Sequence, residues 1–267
     1  MILCLDVGNT QIYGGIFEGD QLKLQFRRTS QLRSSSDELG VFFRTVIREN
    51  DIDPKYIDQI AICCVVPDLL YSLRATCQKY FGIEALVLKP GTKTGLKILY
   101  RDPKEVGADR IADAVGAVKL YPDRNVIVAD FGTATTLCAI SRRKEFLGGN
   151  IVPGVNLSMQ ALEERTAQLP SVEIVPPTTA IGRSTIESIQ AGLYWSNVGM
   201  VRELVARISE EEFVNEPPVV IGTGGFAQLF NREKLFDIVL PDLILTGLRE
   251  VIRLNSQVST CSTTSSP

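Results

Sequence analysis

Short apolar runs bounded by turn residues at Ile2–Asp6, Ile12–Phe17 and Leu22–Arg28 predict three strands, with Gly19-Asp20 marking the second turn. The spacing then changes. Asp37 and Glu38 open a helical run through Asn50, with Arg44 and Arg48 further on, the charge order a helix dipole favours. Gln59–Val66 reads as a buried strand, and Pro67 suits the first position of a helix reaching Tyr80. Ala85–Leu88 closes the unit with a short strand, giving the order βββαβαβ.

The second half begins the same way. Asn125–Asp130, Thr136–Ser141 and Glu145–Val152 read as strands, followed by a helix from Gly154 towards Ala167. Over Thr185–Ile208 the apolar residues fall mostly at helical spacing, which predicts a longer helix. Val219–Ile221 and Ile238–Leu240 are further strands, and Leu243–Leu254 is a last helix. Residues 255–267 are Ser/Thr-rich with almost no apolar content, the composition of a disordered tail. Two strands end alike, in Asp6-Val7-Gly8-Asn9-Thr10 and Asp130-Phe131-Gly132-Thr133. A shared Asp-x-Gly signature on similar strand orders predicts two homologous lobes with a cleft between them, residues 1–120 and 121–254.

Composition removes several function classes. The 267 residues are 45% hydrophobic and 22% charged, close to the globular average, and the net charge of −3 with no basic stretch gives no footprint for nucleic acid. No apolar run approaches a membrane span, and the N-terminus shows no secretory pattern. Cys4, Cys63, Cys64 and Cys138 lie in apolar, strand-like runs without Cys-x-x-Cys spacing, which points to buried thiols in a reducing cytoplasm. The chain has no histidine, so Ser-His-Asp hydrolysis, histidine-ligated metals and imidazole bases are excluded. Proton transfer near neutral pH falls to other side chains, carboxylates foremost.

The turns carry the candidate chemistry. At Asp6-x-Gly8-Asn9-Thr10 a strand delivers a carboxylate, and the glycine turn behind it presents backbone N–H groups to an anion. Asp130–Thr136 is a richer copy, with three threonine hydroxyls suited to phosphate oxygens or a cation. Gly222-Thr223-Gly224-Gly225 follows an apolar strand and precedes a helical run, so it can bring backbone against a nucleotide. Gly107-Ala108-Asp109-Arg110 opens a helix in which the arginine opposes the dipole, which suggests either a ligand anion or a fixed salt bridge. Without histidine, Asp109 is the best candidate base for a substrate hydroxyl; the plain alternative is a first-turn acid.

Together these residues resemble the type III pantothenate kinases, of the actin-like, sugar-kinase ATPase superfamily. The resemblance runs to about Asn255 and includes Pro90–Gly95, Gly148-Gly149, Pro153-Gly154, Gln190–Gly192 and Thr246–Arg249; Val106–Arg110 with Asp130–Thr136 is its most specific part. It implies an α/β fold of two ribonuclease-H-like lobes and ATP-dependent phosphorylation of pantothenate to 4′-phosphopantothenate, the first step of coenzyme A biosynthesis. Asp6, Val7, Gly8, Asn9, Thr10, Gln11, Ile12 and Tyr13, assisted by Thr133, would bind ATP, with Asp6 holding Mg²⁺ through water. Asp130 would hold a monovalent cation, K⁺ or NH₄⁺. Tyr100, Gly107, Ala108, Asp109, Arg110 and Thr185 would bind pantothenate, with Asp109 catalytic. A cytoplasmic homodimer without nucleic-acid or membrane partners is also implied, with Gly192 and Gly199 on its contact helix. Tyr13 and Cys64 stand where many relatives carry lysine and serine. The alternatives are a nucleotide-binding transcriptional accessory protein of the same fold and a kinase for another small hydroxy acid.

Overall fold

The computed structural model describes residues 1–166 and 168–256. Its first unit is built on strands β1 (Ile2–Val7), β2 (Gln11–Glu18) and β3 (Gln21–Thr29), an antiparallel meander, because only short turns separate them. Helix α1 (Ser36–Arg48) leads to β4 (Gln59–Cys64), which runs parallel to β1. Helix α2 (Pro67–Thr76) then leads to β5 (Leu86–Val87), giving the sheet order β3-β2-β1-β4-β5. Ser35 caps α1 in a capping box: its hydroxyl accepts from the Glu38 amide at 3.2 Å, and Glu38 accepts from the Ser35 amide at 2.7 Å. Alternate residues of the sheet (Leu3, Leu5, Val7, Ile12, Ile16, Ile60 and Ile62) join Leu39, Phe43, Leu69 and Leu73 of α1 and α2 in one core.

Strand β6 (Lys97–Ile98) belongs to the second sheet, whereas helix α3 (Ala108–Leu120) is almost wholly in the first unit. The second unit contains β7 (Val126–Phe131), β8 (Ala134–Ile140), β9 (Glu145–Pro153), helix α4 (Val155–Arg165), helix α5 (Thr185–Glu212), β10 (Val219–Thr223) and β11 (Ile238–Val239). Its sheet order is β11-β10-β7-β8-β9-β6. Without β6, this repeats the first sheet: an antiparallel β7-β8-β9 meander with β10 and β11 parallel beside β7. Asp6 ends β1 opposite Tyr13 of β2, and Asp130 ends β7 opposite Thr136 of β8. The internal repeat expected from Asp-x-Gly is a repeat of topology.

The last helix, α6 (Leu243–Ser256), packs on β1, β2 and β4 of the first unit. The units are therefore Met1–Leu96 with Tyr100–Lys119 and α6, and Lys97–Leu99 with Leu120–Asp242, which differs from the boundaries 1–120 and 121–254. Glycines decide how α6 sits: a Cβ on Gly247 would overlap the Ala112 carbonyl of α3, and one on Gly116 would come within 2.5 Å of the Leu243 carbonyl. The tail was expected from residue 255, but Asn255 and Ser256 belong to α6. Asn255 continues α6, its amide donating to the Val251 carbonyl at 2.7 Å and to the Lys93 carbonyl at 2.9 Å, and Ser256 donates to Ile252; the rest of that tail lies outside the described residues.

Candidate active site

In the first unit the Asp6 turn is tied from both sides. The Gly8 amide donates to the Gln11 carbonyl at 3.0 Å, closing the turn. Ser30, just past β3, donates its amide to the Thr10 carbonyl at 2.9 Å and its hydroxyl to the Gly8 carbonyl at 2.6 Å. Asn9, Thr10 and Gln11 are exposed, whereas Val7, Ile12 and Tyr13 are buried. Val7 and Ile12 belong to the core under the turn.

Asp109 stands at the start of α3. Its Oδ1 accepts from the Arg110 amide at 2.8 Å, and a Cβ on Gly107 would overlap that same oxygen. The glycine leaves the space the carboxylate occupies. Arg110 is buried, with its guanidinium 5.8 Å from the centre of the Tyr100 ring. Tyr100 is thus brought to Arg110, one residue along from the Gly107–Asp109 contact.

Cys63 shows how this group meets the turn. The thiol is fully buried and its pKa is pushed far up, first by burial and then by the negative charges of Asp6, Asp109 and Asp113. Asp6 is its partner in the parallel β1–β4 register. The carboxylate at the end of β1 and the one at the start of α3 therefore act on one thiol. Asp113, one turn beyond Asp109 and 4% exposed, completes the group and was missed from sequence. Its signal is a charged residue inside the apolar run Ile111-Ala112-Asp113-Ala114-Val115. Cys64 is half-buried and donates to the Val66 carbonyl at 3.1 Å.

In the second unit, Gly224 has φ +84° and lies so close to Asp130 that a Cβ there would overlap Oδ1. Together with Gly132, whose amide donates to the Ala134 carbonyl at 3.1 Å, it forms a backbone cradle around the Asp130 carboxylate. Among the described residues, no group of three or more Cys, Asp or Glu side chains is placed to hold a metal ion. Thr133 is exposed in its turn, whereas Thr135 pairs opposite Phe131, is fully buried, and its hydroxyl has no partner among the described residues. Gly222–Gly225 leads into a 3₁₀ helix, Ala227–Glu233, so the expected α-helical N-terminus is absent there; of its glycines Gly224 approaches Asp130, while Gly222 lies against Phe236.

Thr185 begins α5, behind the Ser184 cap that accepts from the Glu187 amide at 3.2 Å. It lines a groove of about 850 Å³ with Leu162, Arg183, Ile189, Leu193 and Ser196, all in the second unit. No helix of the described residues is long and apolar enough to cross a membrane.

Comparison with known proteins bears on this geometry. The sequence model of the family described as type III pantothenate kinase matches residues 2–207. The type III pantothenate kinase of Legionella pneumophila strain Corby is 54% identical over 256 residues, covering 96% of this chain and all of the relative. That of Elusimicrobium minutum is 50% identical over 258 residues, covering 97% and 100%. Among solved structures, a Campylobacter jejuni protein described as a Baf family transcriptional activator aligns at TM-score 0.59 with 19% identity, covering 96% of this chain and 99% of its own. A Sinorhizobium meliloti protein described as a 2-dehydro-3-deoxygalactonokinase aligns at TM-score 0.59 with 10% identity, covering 100% and 99%. At those identities the structures speak for fold alone, and the fold is the two-lobed one of the actin-like sugar kinases.

Proposed function

Because the chain belongs to the type III pantothenate kinase family, we propose that it transfers the γ-phosphate of ATP to a hydroxyl of pantothenate. The products are 4′-phosphopantothenate and ADP, and the reaction opens coenzyme A biosynthesis. The observation that carries the reading at the level of residues is the convergence of Asp6 and Asp109 on the buried Cys63. With Asp6 opposite Cys63 in the β1–β4 register, it supports reading the two carboxylates as members of one site.

Asp109 takes the hydroxyl proton as the oxygen bonds to the γ-phosphorus and the bond to the bridging oxygen breaks, releasing ADP. Such transfers depend mainly on positioning and charge neutralisation. The Asp6–Tyr13 turn, with Thr133, binds the phosphates, while Tyr100, Gly107, Ala108, Arg110 and Thr185 bind pantothenate. Asp6 would hold Mg²⁺ through water, and the ion would neutralise phosphate charge there. Asp130 in its glycine cradle holds K⁺ or NH₄⁺. The chain acts as a homodimer through α5, where no atom lies within 4 Å of a Cβ on Gly192 or Gly199 and Trp195 is 37% exposed. Buried Cys4, Cys63, Cys77 and Cys138 suit a cytoplasmic enzyme.

The test is ADP release from ATP–Mg²⁺ with and without pantothenate, in potassium and in sodium buffers, with other small hydroxy acids as controls. Turnover that needs both pantothenate and potassium is expected. Equal turnover in sodium overturns the cation assignment, and turnover with another hydroxy acid alone overturns the substrate. Light scattering on the eluting protein reads the dimer.

A further inference from the structure

Residues that face each other across strands send their side chains to the same side of the sheet. Cys63 of β4, Asp6 of β1, Tyr13 of β2 and Arg27 of β3 are successive partners in register, so they form one row across the first sheet. The row lies on the face covered by α6, since Leu245 packs where a Cβ on Gly15, two residues from Tyr13, would project. It ends on the exposed guanidinium of Arg27, which sits 4.1 Å from the centre of the Tyr13 ring. Tyr13 is itself held, its hydroxyl donating to Gln25 Oε1 at 3.0 Å.

A planar guanidinium stacked on a fixed ring is oriented before any ligand arrives. Its charge is also available. Lys23 of β3 is paired with Glu18 at 3.0 Å, whereas no ion pair among the described residues involves Arg27. Two residues along, Thr29 pairs with Gln11, and Ser30 binds Thr10 and Gly8 of the phosphate turn. Two strand residues span about 6.6 Å, within the reach of an arginine side chain. The row otherwise offers a polyphosphate only a carboxylate, a thiol and a phenol.

We propose that Arg27 is a phosphate-binding residue of this kinase, its guanidinium held on Tyr13 and donating to the phosphate oxygens of ATP at the Asp6 turn. The proposal rests on the reading of that turn as the ATP site. A charge-assisted contact of this kind is a difference of about ten- to a hundredfold in affinity.

The experiment compares wild type, Arg27→Gln and Arg27→Lys as full chains. Steady-state kinetics give separate KM values for ATP and pantothenate, and calorimetry gives binding of ATP and of adenosine. Arg27→Gln is expected to raise the KM for ATP at least about tenfold, with the pantothenate KM within about twofold and adenosine binding unchanged. Arg27→Lys, which keeps the charge but not the planar stack, is expected to fall between. A KM for ATP within twofold of wild type in Arg27→Gln overturns the proposal, as does an equal loss of adenosine and ATP binding. Wild type that binds ATP but does not phosphorylate pantothenate counts against the kinase reading, while the calorimetric comparison still decides Arg27.

Discussion

Gly107 and Asp109 share one small volume, and that sharing is testable. A Cβ at 107 meets a side-chain oxygen, not backbone, so Gly107→Ala is accommodated by moving the carboxylate. We expect Gly107→Ala to lower kcat while leaving the melting temperature within a few degrees, read by turnover and thermal unfolding on the same sample. Asp109→Asn removes the base itself and is expected to cut kcat by about 10²–10⁴-fold with the fold intact by circular dichroism. Near-full turnover in Asp109→Asn would remove it from the chemistry. The Asp6, Asp109 and Asp130 turns were legible because each sets an acid against a glycine at the end or start of an element. Asp113 was not singled out, since an acid inside a helix more often faces solvent, and only packing shows that this one is buried. Thr135, close to the Asp130 glycine turn, is explained by ordinary strand propensity, and strand alternation turns it into the core.

Helix α6 carries two further expectations. Gly247 meets the Ala112 carbonyl of α3, and backbone cannot rotate away as a carboxylate can. Gly247→Ala should therefore destabilise by about 1–3 kcal/mol, seen as a lower denaturation midpoint with turnover lost in proportion to folded protein. Glu250, on the same helix, accepts from Arg253 at 2.8 and 2.5 Å, with Lys119 of α3 at 3.7 Å. The Arg253 hydrogen bonds, then the Lys119 and Arg253 charges, hold its carboxyl below the ordinary 4.5 of a glutamate. A carboxyl lowered on folding adds stability above its unfolded value and loses it as pH falls through the folded one. Glu250→Gln should thus be less stable than wild type at pH 7, and the gap should close as pH drops below about 4.5 in urea unfolding series. A gap that persists at pH 3 would assign the loss to packing. The helix itself was legible from its apolar spacing, and so was α1, although Ser35 places its start one residue before the acids suggest. Where α6 packs was not legible, because periodicity shows that a face is buried without showing which sheet buries it.

At the scale of the whole chain, two sheets with the same strand order carry their aspartates at matching strand ends, and one signature repeated at half-length was enough to predict that. The boundaries were harder. Lys97-Ile98 leaves the first unit to pair with β9, and α6 returns to the first sheet from the far end of the sequence, so neither unit is one continuous segment. The buried thiols report this arrangement directly. Cys4 is on the α6 side of the first sheet, where burial pushes its pKa far up and the Arg249 charge pulls the other way. Cys63 lies on the same side, since it pairs with Asp6, two residues from Cys4, while Cys138 is buried in β8 of the second sheet. A chain ending at Asp242 lacks the helix that covers Cys4 but retains every strand of the second sheet. Mapping thiol labelling by peptide mass spectrometry, we expect Cys4 and Cys63 to react in that truncated chain without denaturant, and neither to react in the full chain. Cys138 should stay protected in both if the second unit holds its core without α6. Labelling of Cys138 together with the other two would show that the units fold only as one, and protection of Cys4 would show that α6 is not what covers the sheet.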